Sequence, residues 1–167
     1  MRLSRILFAS GIATVLAAGI WGAPGPAGAQ SASKPSASKP SAPEQQIEQR
    51  QAQMKRYGGA VRVLTQYVRQ NQGSLQDVQA ASATIEEVSR NLSQMFPAGS
   101  QQGVGNSKAK PEIWQQPAKL EDVVKGMQTA SATLSKAAAS NDPEQIKAAF
   151  GRVGQACGAC HEVFRAK

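Results

Sequence analysis

The sequence has very little histidine and cysteine, the two residue types that most often bind transition metals in proteins. It contains one histidine and two cysteines among 167 residues. A structural zinc site needs four ligands, and histidine and cysteine together supply at most three here. Aromatic residues are also scarce, with four Phe, two Trp and two Tyr. The core must therefore be largely aliphatic, or a cofactor must fill it.

The histidine and both cysteines fall in one pentapeptide near the C-terminus, Cys157-Gly158-Ala159-Cys160-His161. This C-x-x-C-H spacing is typical of c-type haem attachment. On a helix, positions i, i+3 and i+4 share one face, so both thiols can reach the vinyl groups of one porphyrin while the imidazole approaches the iron. We predict one covalently bound haem c, attached through Cys157 and Cys160, with His161 as an axial ligand.

Two other uses of the cysteines fit the sequence less well. A thioredoxin-type dithiol would follow a strand and lie at a helix N-terminus, and no strand-like segment precedes Cys157. A disulfide between helical residues three apart, such as Cys157 and Cys160, would have poor geometry. Haem attachment is therefore the preferred interpretation.

Residues 1–29 have the pattern of a secretory signal peptide. Arg2 and Arg5 precede an apolar stretch over residues 6–21, and Ala27-Gly28-Ala29 supplies an A-x-A cleavage site. The apolar stretch is short for a membrane span, which takes about 20 residues. We expect export to the periplasm with no stable membrane insertion after cleavage, and an uncleaved anchor is the alternative.

Residues 30–43 are rich in Ser, Ala, Lys and Pro and contain no large apolar side chain, which predicts a flexible linker. The remaining residues, 44–167, suit one domain. Without Arg2 and Arg5, the exported chain has 17 Lys and Arg against 11 Asp and Glu. The basic residues are scattered, which argues against nucleic-acid binding. They indicate either an ordinary solvated surface or attraction to an acidic redox partner.

Four amphipathic segments with an apolar period of three to four residues predict helices. The last one carries the haem-attachment residues in its apolar stripe, so the haem should lie inside the protein. Ile113 and Trp114 are expected to anchor a long loop over residues 96–117. The predicted helices run from the Ser41 cap to about Asn71, from the Ser74 cap to about Phe96, over about residues 118–140, and from the Asp142 cap to the C-terminus. Short, long and short connections favour an all-α, antiparallel four-helix bundle.

Three stretches of the chain resemble the cytochrome c′ family, the class II c-type cytochromes. They are Phe150-Gly151 through Cys157 to Phe164-Arg165, the loop Lys110-Pro111-Glu112-Ile113-Trp114, and Arg50-Gln51-x-x-Met54-x-x-x-Gly58. The resemblance covers residues 44–167. It implies a cytochrome c′-like four-helix bundle with haem c near the C-terminus, and it is compatible with a homodimer through the first two helices.

Met54 is the residue on which the functional prediction depends. In the family, the matching position faces the distal side of the haem, and a methionine there can complete a six-coordinate, low-spin iron. The resemblance therefore implies Met54 as the second axial ligand beside His161. The alternative is a core methionine, because the same position would face inward with or without iron.

The resemblance also implies roles for three residues around the haem. Arg50 lies one turn before Met54, at a position that the family places near the haem propionates. Gly58 lies one turn after Met54, where the absent side chain would let a porphyrin approach, and a simple weak point in the helix is the alternative. Arg165 lies one turn beyond His161 on the proximal side. For both arginines, an ordinary exposed helix cation is the alternative.

These assignments predict a periplasmic electron carrier with a His/Met-ligated, low-spin haem and no enzymatic activity. Its expected partners are acidic redox proteins. The alternative is a five-coordinate haem protein that resembles cytochrome c′ and binds NO or CO. A haem peroxidase is a weaker third hypothesis, because the single histidine is already assigned and no distal acid-base group is evident.

Overall fold

The computed structural model describes residues 41–101 and 104–167, and the predicted signal peptide and nearly all of the predicted linker lie outside them. The described residues belong to one compact unit, Ser38–Lys167. Four long helices make up this unit: α1 (Ala42–Gln70), α2 (Leu75–Arg90), α4 (Pro117–Ser140) and α5 (Pro143–Phe164). A short helix, α3 (Glu112–Gln115), precedes α4.

The helices begin at the caps that the sequence predicts. At α1, the Glu44 carboxylate accepts hydrogen bonds from the Ser41 N–H at 2.7 Å and the Ser41 hydroxyl at 2.8 Å. At α2, Ser74 and Asp77 make the reciprocal bonds of a capping box. At α5, Asp142 Oδ1 accepts from the N–H groups of Glu144 and Gln145. These local bonds satisfy N–H groups that the helix itself leaves without partners.

Two tight turns allow neighbouring helices to run antiparallel. Asn71 ends α1 with φ of 52°, and Asn141 ends α4 with φ of 59°. Asparagine tolerates this left-handed conformation better than most residues. Each turn therefore needs only a few residues between one helix and the next, as in an antiparallel bundle.

The core lies between the four long helices and is aliphatic. Its fully buried large side chains come from all four of them: Leu64, Val78, Val88, Ile85, Leu134, Ile146 and Val153. Helix α1 packs mainly on α2, α2 also packs on α4, and α4 packs on α5, whereas α1 and α5 share far fewer contacts. The seam between α1 and α5 is thus the least tightly packed side of the bundle.

The structure confirms the all-α bundle and refines two boundaries. Helix α2 ends at Arg90, and a 3-10 turn over Ser93–Met95 follows it, so the predicted end near Phe96 was too late. Helix α3 lies inside the segment that was predicted as loop. Within the described residues, no helix is long and apolar enough to cross a membrane.

Candidate functional site

Helix α5 presents both cysteines on its inner side. Cys157 and Cys160 are free, partly buried and packed against the core. Burial raises the pKa of each thiol, because the thiolate is less well solvated inside the bundle. Together with the helical spacing, this arrangement gives two thiols on one face, as two thioether bonds to a single porphyrin require.

Tyr57 of α1 lies beside Cys157 of α5. Its hydroxyl offsets part of the increase that burial causes in the pKa of the Cys157 thiol. Burial in turn raises the pKa of Tyr57 well above its ordinary value. Tyr57 therefore stays a neutral hydrogen-bond donor on the side of α1 that faces Cys157.

His161 lies in the last turn of α5 and is exposed to solvent. Partial desolvation by its neighbours and then the positive charge of Arg165 lower the pKa of the imidazole. The ring is therefore neutral at pH 7, and a neutral imidazole is the form that binds a metal. Arg165, one turn after His161, is itself exposed, and its role on the proximal side of the haem stays a prediction.

Met54 lies on α1, one turn before Tyr57 and Gly58. Its side chain is partly buried and packs against the core. Two other methionines have different surroundings. Met127 is buried and accepts a hydrogen bond from Tyr57, and Met95 lies in the 3-10 turn after α2. Met54 therefore lies on the same face of α1 as Tyr57, the residue beside Cys157.

Gly58 has open space where a side chain would be. A Cβ added to it would meet no protein atom within 4 Å, and the same holds for Gly59. The backbone of α1 at Gly58 is therefore accessible one turn after Met54. This geometry is compatible with the predicted approach of a porphyrin.

Arg50 has contacts that the sequence analysis did not predict. It is 6% exposed, and its guanidinium donates to oxygens of residues 95–107. The predicted role of Arg50 beside the haem propionates thus stays a prediction. Its described hydrogen bonds hold the segment that follows α2 against α1. The sequence does not predict these contacts, because the acceptor residues lie 45 to 57 positions from Arg50 and come close to it only in the folded chain.

The segment between the 3-10 turn and α3 ends beside the C-terminus of α5. Ala109 and Arg165 form an antiparallel bridge, in which Lys110 N–H donates to Phe164 O at 2.9 Å and Ala166 N–H donates to Lys108 O at 2.8 Å. This bridge holds the last residues after His161 in place. The sequence did not predict this bridge, because a single bridging pair leaves no alternation of polar and apolar residues along the chain.

The donor set fits a haem better than a bare metal ion. Among the residues that the structure describes, no group of three or more His, Cys, Asp and Glu side chains could hold a metal ion. A haem brings four porphyrin nitrogens and needs from the protein only axial ligands and two thiols. Cys157 and Cys160 would hold the porphyrin, and His161 would hold the iron.

Comparisons with known proteins point to the same family. The family model described as cytochrome C′ matches residues 45–165. Cytochrome c′ from Allochromatium vinosum is 34% identical over 54% of this chain and 60% of that protein, so the alignment covers less than two thirds of its length. Cytochrome c-556 from Agrobacterium tumefaciens is 32% identical over 72% of this chain and 97% of that protein.

Solved structures share the fold. Cytochrome c′ from Thermochromatium tepidum superposes with a TM-score of 0.71 at 28% identity, covering 77% of this chain and 100% of that one. Two structures from Alcaligenes xylosoxidans, a carbon monoxide complex and a nitric oxide complex of cytochrome c′ variants, each have a TM-score of 0.69 at 26% identity, with the same coverage.

Proposed function

Because this chain belongs to the cytochrome c′ family and has a methionine at position 54, we propose that it carries one electron through a haem c whose axial ligands are His161 and Met54. The position of Met54 is the observation that carries the proposal. Its thioether lies on α1 within one turn of Tyr57, which in turn neighbours Cys157 of α5. The two candidate ligands therefore come from the two helices that border the loosely packed seam.

The haem would supply the redox-active iron. The protein would supply a rigid aliphatic bundle and two axial ligands that leave no open position on the metal. Thioether sulfur is a soft ligand that favours ferrous iron and raises the reduction potential relative to two nitrogen ligands. A carrier of this type needs no acid-base group near the iron.

Cationic side chains near His161 support an acidic redox partner. The Ala109–Arg165 bridge brings Lys108 close to Arg165, and both are exposed, whereas Lys110 lies 3.7 Å from a Glu112 carboxylate oxygen. Opposite charges speed the encounter of two proteins and make its rate depend on ionic strength. We propose that the partner approaches this surface in the periplasm, after export directed by residues 1–29.

A second function, the binding of NO or CO at a five-coordinate haem, has more direct support from the comparisons. Solved relatives include complexes with both gases. This function would apply if Met54 packs in the core without binding the iron.

A homodimer is a further proposal for this chain. One structural relative is a cytochrome c′ with ligand-controlled dimer dissociation, which supports it.

Visible spectra separate the two functions. Protein matured with haem c should give a low-spin spectrum when reduced and should react slowly with carbon monoxide. Met54→Leu should convert it to a high-spin form that binds the gas rapidly. Met95→Leu is the matched control: it replaces a methionine side chain in the 3-10 turn after α2 and keeps the Met95 carbonyl that Arg50 uses, so it should leave the spectrum unchanged. Rapid carbon monoxide binding by the unaltered protein would favour the second function.

A further inference from the structure

Arg50 is a buried cation surrounded by neutral oxygens. Nη1 donates to Met95 O at 3.1 Å and to Ser100 Oγ at 3.0 Å, and Nη2 donates to Ser100 O and Ser107 Oγ at 3.0 Å each. None of the ion pairs among the described residues includes Arg50. Burying a charge in this way is costly unless its hydrogen bonds are made.

The acceptors of Arg50 form a closed network. Ser100 Oγ donates to Pro97 O at 2.8 Å, and Ser107 Oγ donates to Ser100 O at 3.3 Å. Ser100 is fully buried and Ser107 nearly so. Each hydroxyl therefore accepts from Arg50 and donates to a carbonyl, so the network is satisfied and rigid.

Aromatic residues extend this network to α3. The Arg50 guanidinium lies over the Phe96 ring, 5.0 Å from its centroid. Phe96 meets Trp114 edge to face at 6.4 Å, and Trp114 Nε1 donates to Phe96 O at 3.0 Å and to Pro97 O at 3.1 Å. Next to Arg50 on α1, Gln51 donates to Asn106 O at 3.0 Å. One turn of α1 is thus fixed to the loop and, through Trp114, to α3.

We infer that Arg50 is a positioning residue for Met54: by fixing the turn of α1 that precedes Met54 to the loop, it keeps the thioether at the site. This inference rests on the proposed function. A helix transmits displacement from one turn to the next, and Met54 follows Arg50 by four residues. Loss of the Arg50 bonds would let the N-terminal half of α1 move and would weaken the bond between the Met54 sulfur and the iron.

The test uses the matured haem protein and three variants. Arg50→Gln removes the charge and the fork of donors, Ser107→Ala removes one acceptor as a milder change, and Arg62→Gln is the control, since Arg62 is an exposed arginine of α1. The readouts are the low-spin fraction from the visible spectrum, the rate of carbon monoxide binding to the reduced protein, and the reduction potential. Circular dichroism reports whether each variant folds.

We expect Arg50→Gln to raise the carbon monoxide binding rate about tenfold, which corresponds to about 1.4 kcal/mol. It should also lower the reduction potential. Ser107→Ala should change both readouts in the same direction and less, and Arg62→Gln should change neither. If Arg50→Gln fails to fold, Ser107→Ala carries the test alone.

Two negative results can be told apart. An unaltered protein with a high-spin spectrum and rapid gas binding would refute the proposed function. A low-spin unaltered protein whose folded Arg50→Gln and Ser107→Ala variants bind carbon monoxide at the original rate would leave the function intact and overturn the positioning role. A loss of thermal stability without a change in rate or potential would show that Arg50 only stabilises the loop.

Discussion

The Tyr57 hydroxyl donates a hydrogen bond to the Met127 sulfur over 2.9 Å, joining α1 to α4 inside the core. Tyr57 is also the residue of α1 that affects the Cys157 thiol. Tyr57 therefore joins α1 to α4 close to the part of α5 that carries the candidate attachment residues. Thioether sulfur is a weak acceptor, so this bond is expected to be of modest strength.

Tyr57→Phe should lower the free energy of unfolding by about 0.5–1.5 kcal/mol, because it removes one buried hydrogen bond and keeps the ring. Urea denaturation followed by circular dichroism measures the change. Tyr67→Phe is the control, since Tyr67 is only partly buried and no hydrogen bond of its hydroxyl is found among the described residues. Equal effects of the two substitutions would show that the Tyr57 bond adds nothing specific.

Removal of the thiols should abolish covalent haem attachment. Protein with Cys157→Ala and Cys160→Ala together, produced in a host that assembles c-type cytochromes, should keep no haem after denaturation, because no thioether bond can form. Mass spectrometry and absorbance of the denatured chain measure this. The unaltered chain should retain the haem and resist alkylation. Free thiols in coloured protein would contradict the assignment.

Gly58→Ala should alter the haem environment while leaving the polypeptide stable. The added Cβ meets no protein atom within 4 Å, and alanine favours a helix interior more than glycine does. Gly59→Ala has the same space around it and lies on a different face of α1, which makes it a matched control. We expect a shift in the visible spectrum or the reduction potential for Gly58→Ala alone. Identical spectra for both variants would remove Gly58 from the haem environment.

Acid should weaken the start of α5 through Asp142. The Gln145 side-chain amide, followed by the Gln145 backbone N–H, holds the pKa of this carboxyl below its usual value of 3.8. A depressed folded-state pKa stabilises the protein above the unfolded pKa, and this stability is lost as the pH falls through the folded pKa. The melting temperature should therefore fall as the pH is lowered through 3.8 and below, and Asp142→Asn should flatten part of that slope. A variant with an unchanged pH profile would contradict this contribution.

The amino-acid sequence alone determined the four long helices, because the apolar period of each segment and the caps of three of them are patterns within the segment's own residues. Ser41, Ser74 and Asp142 lie at the predicted helix starts. Ile113 is buried and Trp114 holds the loop through Phe96 and Pro97, as predicted. The prediction that Cys157, Cys160 and His161 attach the haem also rests on the sequence alone, because their spacing is itself the chemical requirement.

Only the tertiary structure decided what surrounds these residues. The end of α2 at Arg90, the Ala109–Arg165 bridge and the contacts of Tyr57 with Met127 all depend on segments that are far apart in sequence. Arg50 shows the reason most clearly. An arginine on a helix is usually a solvated cation, and the sequence carried no local sign that a distant loop would bring carbonyl and hydroxyl oxygens around its guanidinium and bury it.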